Sequence, residues 1–148
     1  MRIVVIGGGP GAGKTAVIEE LARRGYGIVP EIARQIIQEQ VQSGGAAVPW
    51  GDTRLYTQLM LSRSVESFHQ QNGVSEMTFL DRGIPDVLCY ARIIGLPDVR
   101  EIESACRAYR YNRRVFLLPP WKEIYRTDLE RKQTFAEAVQ VYETMICV

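Results

Sequence analysis

Residues 8–15 read GGPGAGKT and follow directly on the β-branched run RIVVI at 2–6. The octet satisfies G-x-x-x-x-G-K-[ST], a pattern that carries meaning where a strand precedes it and a helix follows. Both flanks meet that condition, because Val17, Ile18, Leu21 and Ala22 continue as one apolar helical stripe up to Gly25. The glycines let successive backbone N–H groups turn inward around a phosphate, and the helix N-terminus adds partial positive charge. Gly8, Gly9, Pro10, Gly11, Ala12, Gly13, Lys14 and Thr15 are therefore the expected nucleotide-binding residues. Lys14 is expected on the β- and γ-phosphates and the Thr15 hydroxyl on Mg²⁺. No N-K-x-D guanine clamp occurs, so ATP is the expected nucleotide, with GTP left open.

Further along, Gly27–Pro30 predicts a short second strand, and Ile32, Ile36, Ile37 and Val41 share one helical face. GGAAVPWGD at 44–52 reads as a loop whose Asp52 caps the next helix, carrying Leu55, Leu59 and Met60. EMTFL at 76–80 predicts a strand, and helices follow over 87–94 and about 98–109. RVFLL at 114–118 reads as a further buried strand. Thr134 and Glu137 form a T-x-x-E capping box that opens a last helix. This alternation predicts an α/β fold, a three-layer P-loop domain with a mainly parallel sheet covered on both faces. The 148 residues suit one domain over 1–148. A βα pattern would supply one more strand after the last helix; either the sheet has one strand fewer than expected or the chain is truncated, and truncation is favoured.

The net charge of +1 gives no compositional support for DNA or RNA as a partner, although a local basic patch stays open. No run approaches the roughly 18 apolar residues that cross a membrane, and MRIVVIGGG is too short in its apolar part for a signal peptide. Cys89, Cys106 and Cys147 are odd in number and widely spaced, and read as buried, reduced thiols of a cytoplasmic protein. His69 is the single histidine and reads as a surface residue; Trp50 and Trp121 read as packing anchors, with base stacking the alternative. No Ser-His-Asp, Cys-His or zinc set can be assembled.

TFLDRGIPD at 78–86 ends an apolar run in an acid, which is how a phosphate-loop protein supplies its second magnesium handle. Asp81 is the expected handle, with a capping or ion-paired strand-end acid as the alternative. A hydrolytic motor usually places Glu beside this Asp; here the neighbour is Arg82, and the chain is short for a motor. A kinase needs an acid near the acceptor hydroxyl, cations that follow the phosphoryl group, and a cover that excludes water. Glu31, in PEIAR at 30–34, is the candidate base, with Arg34 one helical turn away; a helix-start Glu favoured by the dipole is the alternative. The polar stretch WKEIYRTDLERKQ within 119–134 is the expected lid, with Arg126 and Arg131 as its cations and a solvated charged face as the alternative. Asp86 reads as a helix-start acid.

Together, GGPGAGKT, VPEIAR, LSR at 61–63, FLDRG-x-x-D and IYRTDLERKQTF resemble a family of small P-loop proteins designated "AAA domain" or "predicted ATPase/kinase". The pattern is also similar to the ribosylnicotinamide kinase domain and, more distantly, to deoxynucleoside kinases. The resemblance implies Glu31 beside the acceptor hydroxyl, Arg82 near the acceptor or the phosphates, Arg63 on a helix facing the substrate pocket, and Arg126 and Arg131 as lid arginines. Gly83 departs from the Ser or Tyr usual in that kinase signature, and Gln58 is offset from the position that often reads a nucleobase. The leading expectation is a Mg²⁺- and ATP-dependent kinase for a small hydroxyl-bearing, nucleoside- or vitamin-like molecule. The alternative is a nucleotide-dependent switch, a slow ATPase that binds a partner protein.

Overall fold

The computed structural model describes residues 2–74, 76–125 and 133–148. The chain begins with β1 (Ile3–Gly8), whose six residues are all buried, and turns through the glycine-rich loop into α1 (Lys14–Arg23). β2 (Gly27–Val29), α2 (Ile32–Ser43), α3 (Thr53–Gln71), β3 (Thr78–Asp81) and α4 (Ile84–Ile93) follow. α5 (Arg100–Ala108), β4 (Phe116–Leu118), a single 3₁₀ turn (Lys122–Ile124) and α6 (Phe135–Ile146) complete the order.

The strands form a parallel sheet in the order β2-β3-β1-β4. Alternation along β1 divides the core. Val4 and Ile6 pack with Phe79 against Ile18 and Leu21 of α1 on one face. Ile3 and Leu80 pack with Phe68 on the other, the side of the larger cluster built from α2, α3, α4 and α5. The expected α/β/α layering is thus present.

The caps form where the sequence places them. Asp52 Oδ1 accepts the Leu55 N–H at 2.9 Å, Thr134 Oγ1 accepts the Glu137 N–H, and Glu137 Oε2 in turn accepts the Thr134 N–H. Three expectations need correction. RVFLL is not a buried strand: β4 holds only Phe116–Leu118 at the sheet edge, beside β1 alone, and Phe116 is 55% exposed. Of the cysteines only Cys89 is buried, its thiol facing the Val141 carbonyl at 3.6 Å and pushed up to about 12 by burial, whereas Cys147 is exposed. Neither tryptophan is a buried anchor, since Trp50 and Trp121 are both more than half exposed.

α6 lies directly on the glycine-rich loop. A Cβ at Gly9 would stand 2.6 Å from the Ala138 carbonyl oxygen, so only glycine lets helix and loop approach this closely. Gly9→Ala is expected to lower unfolding free energy by about 1–3 kcal/mol, the usual range for overpacking. Urea denaturation reads the change; a shift of the midpoint within error of zero would mean that α6 is not seated there.

Candidate functional site

The loop after β1 takes the shape its glycines allow. Gly8, Gly11 and Gly13 have φ of 135°, 68° and 85°, a region in which a Cβ is strained. Gly13 is the residue preceding α1, so the helix starts at Lys14 with its first N–H groups directed into the loop. Lys14 is 3% exposed, and its ammonium donates to the carbonyls of Gly8 at 3.2 Å and Gly9 at 3.0 Å, which hold the side chain folded back over the loop. Thr15 is exposed at the helix start. Tyr125 packs on the loop from outside, with its ring 2.6 Å from where a Gly11 Cβ would stand.

β3 runs beside β1 with Asp81 opposite Ile6, which brings the carboxylate to the strand ends from which the loop departs. The chain then makes a sharp turn. Arg82 has φ 72°, the one non-glycine residue at positive φ among the described residues, and its N–H is held by the Ile6 carbonyl at 3.0 Å. Such strain gathers where a side chain must be aimed. The Arg82 side chain crosses to β2, and its Nε donates to Glu31 Oε1 at 3.0 Å; Nη1 lies 3.7 Å from Asp86 Oδ1. Burial alone would push this guanidinium down, but the charges of Glu31, Asp86 and Asp81 outweigh burial and hold it above its ordinary value.

Glu31 immediately precedes α2 and does not cap it through its side chain. Its carboxylate points instead to Arg82 and is 11% exposed. Asp86 is 6% exposed at the start of α4, where Oδ2 accepts the Gly83 N–H at 2.8 Å. Burial raises its carboxyl above the usual range, against the pull of the Arg82 charge and the Gly83 N–H. Sequence reading passed over Asp86 as a helix-start acid; the signal it contained was the three-residue spacing to Gly83, which fits a cap but gives no sign of burial. Gly83 also has a local reason. A Cβ there would meet Val5 Cγ2 at 3.0 Å and the Tyr111 ring at 3.1 Å, and the Tyr111 hydroxyl accepts the Ile84 N–H at 3.3 Å.

These groups share one cavity of about 480 Å³ that reaches the phosphate loop at Pro10. Glu31, Arg34, Asp81, Arg82 and Asp86 form its polar end. Away from that end the wall is apolar and aromatic, with Ile37, Met60, Val87 and Ile93 beside Tyr56 and Tyr90, whose rings meet edge to face at 5.5 Å. Trp50 and, from α6, Glu137 and Val141 also line the cavity. Arg63 is not part of this cavity. It pairs with Glu39 at 2.6 Å on the outer surface between α2 and α3, because Tyr56, Met60 and Ser64, spaced by four, present the inward stripe of α3 and Arg63 lies about 100° round the helix. Arg126 and Arg131 lie outside the described residues. His69 is exposed and stacks edge-on with Tyr109.

Among the described residues no group of three or more His, Cys, Asp or Glu side chains is placed to cage a metal. The donors near the loop are hard oxygens, the Thr15 hydroxyl and the Asp81 carboxylate. Such a sparse set suits Mg²⁺, which keeps its waters and binds through one or two protein groups plus phosphates.

A parallel sheet, a glycine loop closed by a buried lysine and an acid at the neighbouring strand end define a P-loop nucleotide-binding domain. The family model described as "AAA domain" matches residues 3–147, and the chain belongs to that family. Among solved structures, deoxyadenosine kinase from M. mycoides with bound dATP is similar at a TM-score of 0.52 and 15% sequence identity, covering 97% of this chain and 79% of that one. At that identity the likeness is one of fold. No curated protein matches the chain. No helix among the described residues is long and apolar enough to cross a membrane.

Proposed function

We propose that the protein is a kinase that transfers the γ-phosphoryl group of ATP, with Mg²⁺, to a hydroxyl of a small nucleoside- or vitamin-like molecule. The observation that carries this reading is the Glu31–Arg82 pair, 3.0 Å apart, in the wall of a cavity that runs from the phosphate loop into an apolar, aromatic chamber. A water-activating ATPase has no need of such a chamber, whereas an acceptor with an apolar body and a hydroxyl has groups that match both its apolar and its charged lining. The acceptor oxygen forms a bond to the γ-phosphorus as the bond to the β-bridging oxygen breaks and ADP leaves. The hydroxyl proton passes to the Glu31 carboxylate. Lys14 follows the charge of the β- and γ-phosphates, and Thr15 and Asp81 would hold the metal, which supplies charge neutralisation between those phosphates. Arg34 and Arg82 orient the acceptor side, and Arg126 and Arg131 are assigned to a lid over 119–134. Three free thiols suit a reducing, cytoplasmic compartment.

ADP release measured across nucleosides, vitamins and sugars tests this. At least one class of acceptor is expected to accelerate release about 100-fold or more over the water background. ADP release indifferent to every acceptor, together with distinct ATP and ADP conformations, would favour the switch instead.

A further inference from the structure

Asp86 makes the N-terminal cap of α4, yet a cap does not call for a buried charge. A neutral Asn or Ser oxygen accepts a backbone N–H equally well, and burying a carboxylate is costly unless a partner repays it. Only Oδ2 is used in the cap; Oδ1 makes no hydrogen bond among the described residues and faces Arg82 Nη1 at 3.7 Å. It also lies beside β1, 3.5 Å from where a Gly7 Cβ would stand. The guanidinium is thus met at two places, Nε by Glu31 from the start of α2 and Nη1 by Asp86 from the start of α4.

A rigid planar fork hydrogen-bonded at one place can still rotate about that contact, and a second anion beside it opposes the rotation. We infer that Asp86 is a positioning residue: with Glu31 it forms a two-sided clamp that fixes the plane of Arg82, and through Arg82 it sets the direction of the Glu31 carboxylate in the cavity. The strained turn at Arg82 supports this, because its backbone is pinned on one side by the Ile6 carbonyl and on the other by the Asp86 cap on Gly83. Asp86 touches neither nucleotide nor acceptor in this scheme. Its catalytic consequence rests on the kinase reading above; the clamp itself does not.

The test is Asp86→Asn, which keeps an oxygen for the Gly83 N–H and removes only the charge. The Arg82 Nε–H resonance, assigned by its loss in Arg82→Lys, reports the clamp by its rate of exchange with solvent. Exchange is expected to be slow in the wild type and at least about tenfold faster in Asp86→Asn, with the backbone spectrum otherwise unchanged. An unchanged rate overturns the clamp, whatever the protein's activity. Should the Asn variant fail to fold, Asp86→Ser, which also retains a capping oxygen, gives the same comparison. Where an acceptor is in hand, kcat is expected to fall about 100-fold with KM for ATP within about twofold, since the phosphate loop is untouched. Failure to find any acceptor speaks against the kinase reading, while the exchange measurement still decides the clamp.

Discussion

Replacing Lys14 with alanine is expected to weaken ATP binding by at least about 100-fold and to remove turnover, with the fold retained. The side chain is 3% exposed and stands over the loop on the carbonyls of Gly8 and Gly9, so its ammonium is already desolvated and aimed before any phosphate arrives. Bonds from a charged donor contribute about 1.5–3 kcal/mol each, and one ammonium reaching the β- and γ-phosphates makes two; about 3 kcal/mol is already two orders of magnitude in affinity. Truncation also takes a buried charge out of the protein, which offsets the loss of the two carbonyl partners and keeps the stability change small. Calorimetric titration with ATP, alongside a thermal melt, separates the two effects. An affinity within twofold of the wild type would show that Lys14 serves the loop and not the ligand.

The phosphate loop was legible because everything that defines it lies within fifteen residues: a strand, the glycines, one lysine and a helix start. Strand and helix alternation was legible for the same reason, as each element's apolar period is local. What escaped was set by contacts far apart in the chain. Arg82 and Glu31 are 51 positions apart, and nothing in either stretch states that the two ends of β2 and β3 bring them to 3.0 Å. Arg63 was placed one residue away from the inward stripe of α3, and on a helix one residue is about 100°, enough to turn a substrate contact into a surface ion pair with Glu39. RVFLL has the composition of a central strand, but burial depends on having neighbours on both sides, and β4 has β1 alone. Asp86 carried the pattern of a solvated cap; what the local pattern does not show is that β1 passes beside it at Gly7.

Glu31→Gln separates transfer from binding more sharply than any other single change. Gln is isosteric and keeps an oxygen for the Arg82 Nε–H, so the pair loses its charge but not its shape. Arg82 retains Asp86 at 3.7 Å as a second anion, which holds the guanidinium close to its place. The variant therefore lacks chiefly a carboxylate able to take the acceptor's proton. General-base removal lowers rates by about 10²–10⁴, or about 3–5 kcal/mol of transition-state stabilisation. Acceptor-dependent ADP release is expected to fall by that factor. ATP affinity should stay within about twofold, because the phosphate loop, Lys14 and Asp81 are unchanged. Single-turnover transfer from ATP in the presence of saturating acceptor measures the first quantity and equilibrium titration the second. Full transfer in Glu31→Gln would remove Glu31 as the base and leave it as a support for Arg82. A parallel loss of ATP affinity would mean that the Glu31–Arg82 pair belongs to the nucleotide subsite, and that the acceptor enters the chamber from the side of Tyr56 and Tyr90 without touching Glu31.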